Sequence, residues 1–440
     1  MSAEIRRRLA LVGAGARAEM FVRAVTGPHA DKTELVALAD VNRARVDVHN
    51  RWLRAAGHDP VPAYQASDLA RMLAAERVDQ LIVASVDSTH AGHIVTALEA
   101  GCDVITEKPM TVDAESCRRI LDAVERTGRD VTVGFNYRFN PVHEMVRTLL
   151  AGGAVGEIGS VHFEWLLDVR HGADYFRRWH RDKANSGGLL VHKSGHHFDL
   201  VNWWLGAAPV EVYASGRLFF YGDGGRRHGY ARDYARAHGS PAAEGDPFAL
   251  DLAGNPRLKQ LYLDAEEEDG YRRDVNVFAP GVSIEDDLAV LVRYDTGATM
   301  TYHLTAYAPW EGYRLMVNGS RGRLELEVVE SDHVDPGAAA ELKGAAVHGT
   351  EAAAEQGGVT LTLRPFWSPP RVIELQPHER GGHGGADSRM AAVLFGGRTD
   401  PLHRSATARD GALALLTGLA ANRCLRTAAP VRVADLLDLK

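Results

Sequence analysis

The first third of the chain alternates short apolar runs with segments whose apolar residues recur every three to four positions. Short apolar runs predict buried strands, and the longer period predicts amphipathic helices. The predicted strands are Arg8 to Val12, Thr33 to Ala39, Gln80 to Val83, Asp103 to Thr106 and Asp130 to Gly134. The predicted helices are Arg17 to Val25, Arg43 to Ala56, Ser67 to Ala74, His90 to Ala100 and Ala114 to Thr127. Such alternation forms βαβ units, so residues 1–140 are predicted to form an α/β domain with a doubly wound parallel sheet.

The pattern changes after about Asn140. A helix that ends at Leu150 is followed by longer β-rich runs with fewer helices between them. These runs are Ser160 to Asp168, Val210 to Phe220, Asp287 to Tyr294, Thr299 to Tyr307 and Arg314 to Val317. Residues 141–440 are therefore predicted to form an α+β domain, onto which the helical segment Ser405 to Arg426 packs.

Two stretches of the second domain lack a clear period. The run 221–281 is rich in glycine, proline and charged residues, and the run 335–358 is rich in alanine and glycine. Long loops of this kind are either functional or mobile. We interpret the run near 221–281 as an insertion and the run 335–358 as a solvated excursion.

Length and composition agree with two globular domains. The chain has 440 residues, whereas single hydrophobic cores stop growing at roughly 250 to 300 residues. Hydrophobic residues make up 45% of the chain and charged residues 25%, and the formal net charge is -8. This charge balance disfavours nucleic acid as a partner.

The protein is predicted to be cytoplasmic. Its first apolar run, Leu9 to Val12, is shorter than the roughly 7 to 15 residues of a signal-peptide core. No run approaches the roughly 18 to 20 apolar residues of a spanning helix, so no membrane partner is predicted. Cys102, Cys117 and Cys424 are an odd number without a close pair, and we interpret them as buried thiols in a reducing compartment.

A glycine-rich turn connects the first predicted strand to the first predicted helix. Its sequence is Gly13-Ala14-Gly15-Ala16-Arg17-Ala18, where Ala18 takes the place of the third glycine of the dinucleotide-binding fingerprint. Glycine at the first two positions allows a tight turn and lets a pyrophosphate approach the N–H groups at the helix N-terminus. A purely structural turn would have the same pattern, so the motif predicts a cofactor site only together with its neighbours.

Asp40 ends the second predicted strand, where an acid accepts hydrogen bonds from the adenosine ribose hydroxyls. A carboxylate at this position repels a 2′-phosphate, which favours NAD. Arg43 and Arg45 are close enough in sequence to neutralise a phosphate, so NADP stays possible. A plain strand-end cap is the alternative role for Asp40.

The motif Glu107-Lys108-Pro109 directly follows the fourth predicted strand, at the edge where open α/β sheets bind ligands. A carbinol releases hydride only as its hydroxyl proton leaves, so an acid/base group is needed nearby. A lysine beside a cationic nicotinamide has a lowered pKa and suits this task. A surface residue at a strand end is the alternative role for Lys108.

A second group of polar residues lies in the run Ser186 to Asp199. If a helix begins near Gly195, His192 and His196 lie about one turn apart, and Asp199 is placed to orient the His196 imidazole. Two chemical uses follow: proton transfer to a substrate hydroxyl, or a divalent metal held by the two histidines and Asp199. Hydrogen-bonded histidines without a chemical role are the third interpretation.

These motifs together resemble the Gfo/Idh/MocA oxidoreductases, a family that includes glucose-fructose oxidoreductase and inositol dehydrogenase. The resemblance is strong from Leu9 to about Leu205 and looser beyond. It rests on Gly13 to Ala18, Asp40, Ser85 to His90, Glu107 to Pro109, Asn136 to Pro141 and the run around His196. It implies a dinucleotide-binding Rossmann domain and an open-faced, mostly antiparallel second sheet that often serves to form homo-oligomers such as dimers or tetramers.

The resemblance also implies roles for single residues. Lys108 and His196 act at the sugar carbon that is oxidised. The implied neighbours of the cofactor, besides the glycine turn and Asp40, are Ser85, Asp87, His90, Glu107 and Asn136. Arg138 borders the nicotinamide pocket on the substrate side.

His192 departs from the family pattern, which usually has aspartate four residues before the catalytic histidine. Lys193 and His197 add further bases that simple dehydrogenation does not need. Three functions therefore stay open. The first is dehydrogenation of a sugar hydroxyl. The second is redox-neutral glycoside hydrolysis through oxidation at C3, elimination, water addition and re-reduction, and the third is non-catalytic dinucleotide binding.

The expected substrate is a small carbohydrate. Arg178 and Trp179 precede the histidine run, and arginine makes bidentate contacts with carboxylate, phosphate or sulfonate, which makes an acidic sugar a hypothesis. Trp165 is placed to stack on a pyranose ring, and His197 is added to the candidate substrate-binding residues. Surface solvation of the arginine and core packing of the aromatic residues are the alternatives.

Overall fold

The computed structural model describes residues 6–334, 358–375 and 384–439. Its first sheet contains six parallel strands in the order β6-β5-β4-β1-β2-β3. They are β1 (Arg7–Val12), β2 (Thr33–Asp40), β3 (Ala63–Gln65), β4 (Gln80–Val83), β5 (Asp103–Thr106) and β6 (Val131–Val133). All five predicted strands of this region are confirmed, and the short β3 is added by its pairing with β2.

Helices cover both faces of this sheet, as a doubly wound fold requires. Along β1, Leu9 and Leu11 pack into one apolar cluster, and Ala10 and Val12 pack into another on the opposite face. The helices are Ala18–Thr26, Arg43–Ala55, Leu69–Ala75, His90–Glu99 and Ala114–Thr127. The direction of the strand order reverses between β1 and β4, and ligands bind at such switch points in open α/β sheets.

The second sheet is large and mostly antiparallel, as predicted. Eight of its strands are β7 (Ile158–Asp168), β8 (Pro209–Arg217), β9 (Asp287–Tyr294), β10 (Thr299–Ala308), β11 (Glu311–Gly319), β12 (Gly322–Ser331), β13 (Val359–Pro365) and β14 (Arg371–Val372). The strand order is β14-β13-β12-β11-β7-β10-β9-β8, and only the β7–β10 pair of this series is parallel. Strands β12, β13 and β14 were not among the predicted ones.

One face of the second sheet is buried and the other is open. Side chains along β9 alternate between buried and exposed, which is the pattern of a sheet with one solvated face. Helix Ala408–Thr427 packs on β8 and against helix Ser194–Leu205. On the open face, Tyr213 and Leu291 keep 43% and 47% of their surface exposed.

The second half also contains further, mostly short helices. They are Pro141–Ala151, Val169–Arg177, Lys183–Ser186, Leu189–His192, Pro256–Leu258, Glu266–Asp269 and Ala386–Leu394. The C-terminal part also returns to the first sheet. Strand β15 (Ala406–Thr407) pairs antiparallel with β6, and Phe395, just after helix Ala386–Leu394, packs edge-to-face on Phe21. Strand β16 (Val431–Arg432) closes the second sheet beside β8. The domain boundary at residue 140 stays a prediction.

The run 221–281 forms short helical turns rather than regular elements. Its start is fixed by the Asp286 carboxylate, which accepts hydrogen bonds from the N–H groups of Phe219, Phe220 and Tyr221. Farther along, Leu258 and neighbouring apolar side chains pack on helix Arg43–Ala55 of the first half. The run 335–358 is predicted as a solvated excursion. Its residues 335–357 lie outside the described part of the chain.

Within the described residues no helix has the length and apolar content that a membrane crossing needs. Cys102, Cys117 and Cys424 are buried free thiols.

Candidate active site

A cavity of about 370 Å³ lies between the carboxyl ends of the first sheet and the buried face of the second. It is lined by most of the predicted site residues: Gly13, Gly15, Ala16, Arg17, Asp40, Ser85, Asp87, Glu107, Lys108, Asn136, Trp165, Arg178, Trp179, His192, Lys193 and His196. Tyr175 and His180 also line it, and they belong to the segment 175–181 before the histidine run that was expected to reach the substrate. Other lining residues were not predicted: Tyr137, His143, Tyr262, Asp269, Tyr271, Arg273, Glu311 and Glu330.

The glycine turn forms one end of the cavity. Gly13 has φ +96°, and a Cβ there would lie 2.3 Å from the Ser85 backbone nitrogen, so only glycine fits. The Cβ position of Gly15 faces the Tyr262 hydroxyl at 3.5 Å, and the Ala16 N–H donates to the same hydroxyl. The turn thus presents a helix N-terminus without bulky side chains, which fits a dinucleotide pyrophosphate.

Asp40 is buried beside this turn. Its carboxylate accepts hydrogen bonds from Ala14 N–H at 2.6 Å and Asn42 N–H at 2.8 Å, and burial raises its pKa. The Arg45 guanidinium lies 3.6 Å away. Arg43 does not reach the cavity, because its side chain pairs with Asp47 on the exposed side of their helix. Its predicted contact with the cofactor is therefore not supported by this geometry.

Arg17 links the glycine turn to the lysine motif. Its guanidinium contacts Glu107 at 2.5 Å and both carboxylate oxygens of Asp387 at 3.0 and 3.1 Å. Asn136 donates to the same Asp387 carboxylate. Because Asp387 comes from the C-terminal helix Ala386–Leu394, no local motif in the sequence indicates it.

Lys108, His192 and Asp87 form a chain of polar contacts. The Lys108 ammonium lies 3.1 Å from His192 Nε2 and donates to the His192 carbonyl, and His192 Nδ1 lies 2.5 Å from the Asp87 carboxylate. Burial lowers the pKa of Lys108 to about 8, and the positive charges of Lys193 and Arg17 add to this, against the opposing effect of Asp87 and Glu107. Burial also lowers the pKa of His192, which keeps the imidazole neutral.

Lys193 and His196 line the cavity around Tyr137. The Lys193 ammonium donates to the Tyr137 hydroxyl and lies 5.0 Å from the Trp165 ring centre. The His196 ring stacks on Tyr137 with 4.3 Å between ring centres. Tyr137 was not predicted, although it falls within the Asn136 to Pro141 motif.

Arg178 and Trp179 extend the cavity wall beside His192. The Arg178 guanidinium pairs with Asp174 at 2.9 Å, and the Trp179 ring stacks on His180. His180 in turn lies edge-on to His192, with 4.2 Å between ring centres. Burial lowers the pKa of His180 well below its usual range, so this wall combines neutral imidazoles with a cation held by a carboxylate.

Five predicted site residues do not line the cavity. Arg138 is buried in a bidentate ion pair with Asp199, and the His197 ring contacts the Tyr302 hydroxyl and stacks on Trp165 inside the core. His90 contacts the backbone oxygens of Ser85 and Pro109, so it supports the two turns beside the cavity from behind. Ala18, like the outward-facing Arg43, has no side-chain contact with the cavity; it begins the first helix.

Both Asp199 oxygens accept from Arg138 at 2.6 and 2.7 Å, so the predicted orientation of His196 by Asp199 is not supported by this geometry. Because of this ion pair, Asp199 is not available as a ligand for the divalent metal that was the second possible use of His192, His196 and Asp199. Among the described residues, no group of three or more histidine, cysteine, aspartate or glutamate side chains could hold a metal ion.

Two family descriptions match the chain and together cover most of it. "Oxidoreductase family, NAD-binding Rossmann fold" matches residues 7–135, and "Oxidoreductase family, C-terminal alpha/beta domain" matches residues 147–433. The chain belongs to the Gfo/Idh/MocA family of oxidoreductases. Its Rossmann part holds the glycine turn and the lysine motif, and its C-terminal part supplies the histidines.

Two relatives illustrate the similarity, and the first of them matches this chain over nearly its whole length. The putative oxidoreductase YteT of Bacillus subtilis (strain 168) is 32% identical over 447 residues, 99% of each chain. The inositol 2-dehydrogenase of Rhizobium meliloti (strain 1021) is 31% identical over 210 residues, 47% of this chain and 58% of the relative.

Two solved structures show the same fold. The aldose-aldose oxidoreductase from Caulobacter crescentus, complexed with glycerol, has a TM-score of 0.62 at 18% identity and covers 97% of this chain and 100% of its own. The WlbA dehydrogenase from Bordetella pertussis, in complex with NADH and UDP-GlcNAcA, has a TM-score of 0.63 at 18% identity, with coverage of 99% and 100%.

Proposed function

We propose that the protein is an NAD-dependent dehydrogenase that oxidises a secondary hydroxyl of a sugar or polyol held in the cavity. One observation carries this proposal: a buried lysine with a pKa of about 8 lies in the same cavity as the glycine turn. A pKa near the working pH lets one group both accept and donate a proton. The relatives named as inositol 2-dehydrogenase and aldose-aldose oxidoreductase support the substrate class.

The cofactor would be held by residues that the site already orders. The glycine turn would hold the pyrophosphate, Asp40 would hold the adenosine ribose, and Ser85 and Asn136 would border the nicotinamide end. When bound, the nicotinamide supplies the hydride-accepting carbon. Asp40 favours NAD, and Arg43 offers no cation to a 2′-phosphate because it faces away.

Lys108 would take the hydroxyl proton as the carbon–hydrogen bond breaks. A neutral amine is needed for this step, and burial makes it available by lowering the pKa. The proton can then pass to His192 Nε2, 3.1 Å away, while Nδ1 releases its proton toward Asp87. His192 and Asp87 thus act as positioning and relay residues behind the lysine, in the place where the family usually has an aspartate.

The cavity walls suit a ring with several hydroxyls. Trp165 and Trp179 offer flat apolar surfaces, and Arg178, Lys193 and His196 offer polar groups between them. Arg178 is paired with Asp174, whose negative charge offsets that of the guanidinium. An acidic substituent on the sugar would compete with that carboxylate for the guanidinium, so acidic sugars belong in any substrate panel.

Redox-neutral glycoside hydrolysis is the second candidate function. It needs a second base to remove the proton at C2 after C3 has been oxidised, and a second set of basic groups lines the same cavity. Lys193 and His196 meet there around Tyr137. In this route the hydride returns to the ketone at the end, so no net reduction of the cofactor accumulates.

One experiment separates these functions. Purified protein and NAD are incubated with inositols, aldoses, uronic acids and aryl glycosides, and NADH absorbance and aglycone release are followed together. NADH formed from an intact substrate supports the dehydrogenase, and aglycone released without net NADH supports the glycosidase. Product formed at the wild-type rate by Lys108→Met would contradict both, whereas Lys183→Met, which removes a lysine paired with Glu285, is the matched control.

A non-catalytic dinucleotide-binding role predicts a different result: no product from the whole panel, with dinucleotide binding retained and biological activity unchanged in Lys108→Ala. Assembly into a homo-oligomer and a cytoplasmic location stay predictions.

A further inference from the structure

The segment 256–274 comes from the predicted insertion and lies against the cofactor end of the first half. The Asn42 side chain donates to the Ala265 carbonyl at 2.8 Å, and Arg45 donates to the Leu261 carbonyl at 3.2 Å. Its Tyr262 hydroxyl accepts from the Ala16 N–H of the glycine turn. This segment therefore forms the outer wall of the place where the pyrophosphate and the adenosine ribose would bind.

Glu268 makes the most specific contact of this segment. Its two carboxylate oxygens accept hydrogen bonds from the backbone N–H groups of Arg43 at 2.5 Å and Ala44 at 2.8 Å. These two residues begin helix Arg43–Ala55, which directly follows β2 and Asp40. A helix N-terminus of this length attracts anions because its first N–H groups lack partners within the helix.

NADP differs from NAD by a phosphate on the adenosine ribose 2′-hydroxyl, which is the group that an acid at the end of β2 contacts. An acid at the end of the second strand contacts the ribose 2′-hydroxyl, so a phosphate on that hydroxyl extends toward the start of the following helix. Here Glu268 already occupies the two N–H groups that would otherwise hold such a phosphate. The guanidinium of Arg45 is shared between Asp269 at 2.8 Å and Asp40 at 3.6 Å, so its charge is already balanced.

We propose that Glu268 determines the choice of dinucleotide: it selects NAD over NADP by occupying the helix N-terminus that a 2′-phosphate needs and by repelling that phosphate. The inference rests on the proposed dinucleotide-dependent function and adds a specificity residue from outside the Rossmann part. It also gives the segment 256–274 a role, since its packing on Asn42 and Arg45 holds Glu268 in place.

Direct binding tests the inference without a substrate. NAD, NADP, ADP-ribose and its 2′-phosphate are titrated into wild-type protein, Glu268→Gln, Glu268→Ala and Glu267→Gln by calorimetry. Glu267 is the matched control, because it is exposed and charged like Glu268 but lacks this backbone contact. We expect the wild type to bind NAD more tightly than NADP. In Glu268→Gln the ratio of the Kd for NADP to the Kd for NAD should fall by a factor on the order of ten. The gain comes from tighter NADP binding and is larger in Glu268→Ala, because both N–H groups become free.

The pair of ADP-ribose ligands places the effect at the ribose, since neither carries a nicotinamide. Equal loss of affinity for both dinucleotides in Glu268→Gln would overturn the inference, because it would make Glu268 a structural cap only. An equal effect of Glu267→Gln would also overturn it, because the charge of the segment rather than this contact would then matter. Binding of neither dinucleotide to folded wild-type protein would instead overturn the proposed function, and the inference with it.

Discussion

The pKa of Lys108 makes a quantitative prediction for the pH dependence of oxidation. With an ordinary pKa of 10.5, about 0.03% of the lysine is neutral at pH 7, whereas with a pKa of about 8 the neutral fraction is about 9%. Burial therefore raises the population of the base about 300-fold. The lowered pKa means that the base form is present above about pH 8 and is lost as the pH falls through that value.

The assay is kcat/KM for NADH formation between pH 5.5 and 10, at saturating NAD and with the best substrate of the panel. We expect kcat/KM to rise about tenfold per pH unit below pH 8 and to level off above it. The reverse reduction should show the opposite trend, because it needs the protonated lysine. Lys108→Met should lose at least about a hundredfold in rate together with this inflection. An inflection near pH 10.5, or the same inflection in Lys108→Met, would rule out Lys108 as the base that titrates near pH 8.

Three further predictions concern the site and its supports. Lys193→Gln removes a positive charge that lowers the pKa of Lys108, so the inflection should move up by roughly half a unit to one unit; an unchanged or downward-shifted profile would contradict this. Gly13→Ala should abolish dinucleotide binding in calorimetry and lower the Tm, because its Cβ would meet backbone at 2.3 Å, whereas Gly92→Ala, in open space on a helix, should leave both intact. Arg138→Leu leaves a buried carboxylate without its partner and should cost about 3 to 5 kcal/mol of unfolding free energy in urea titration; a large rise in KM with unchanged stability would instead support a substrate-binding role.

The first sheet could be predicted because its strands are buried on both faces and read as unbroken apolar runs. The three-residue strand β3 (Ala63–Gln65) escaped prediction because its residues are only partly buried and its extended form depends on pairing with β2. Strand β12 (Gly322–Ser331) was missed for another reason. Leu324, Leu326 and Val328 do alternate there with charged residues, and this period of two was a usable signal.

The site was predictable where a motif falls at a strand end. Lys108 and Asp40 follow parallel strands, so the fold brings them to one edge. The contact between Lys108 and His192 joins residues 84 positions apart, and no local pattern fixes which histidine reaches the lysine. Glu268 lies in the short helix Glu266–Asp269, and Asp387 lies in helix Ala386–Leu394 near the C-terminus. The placement of both helices beside the first half depends on tertiary packing, which no local sequence pattern indicates.

The proposed function requires that hydride leaves a substrate carbon for the cofactor in the cavity that holds Lys108. The most direct measurement follows the carbinol hydrogen: a substrate deuterated at that carbon is incubated with the protein and NAD, and the dinucleotide is analysed by mass spectrometry. We expect one deuterium in the reduced dinucleotide for each ketone formed. Ketone formed with the deuterium released to water, and none in the dinucleotide, would contradict it.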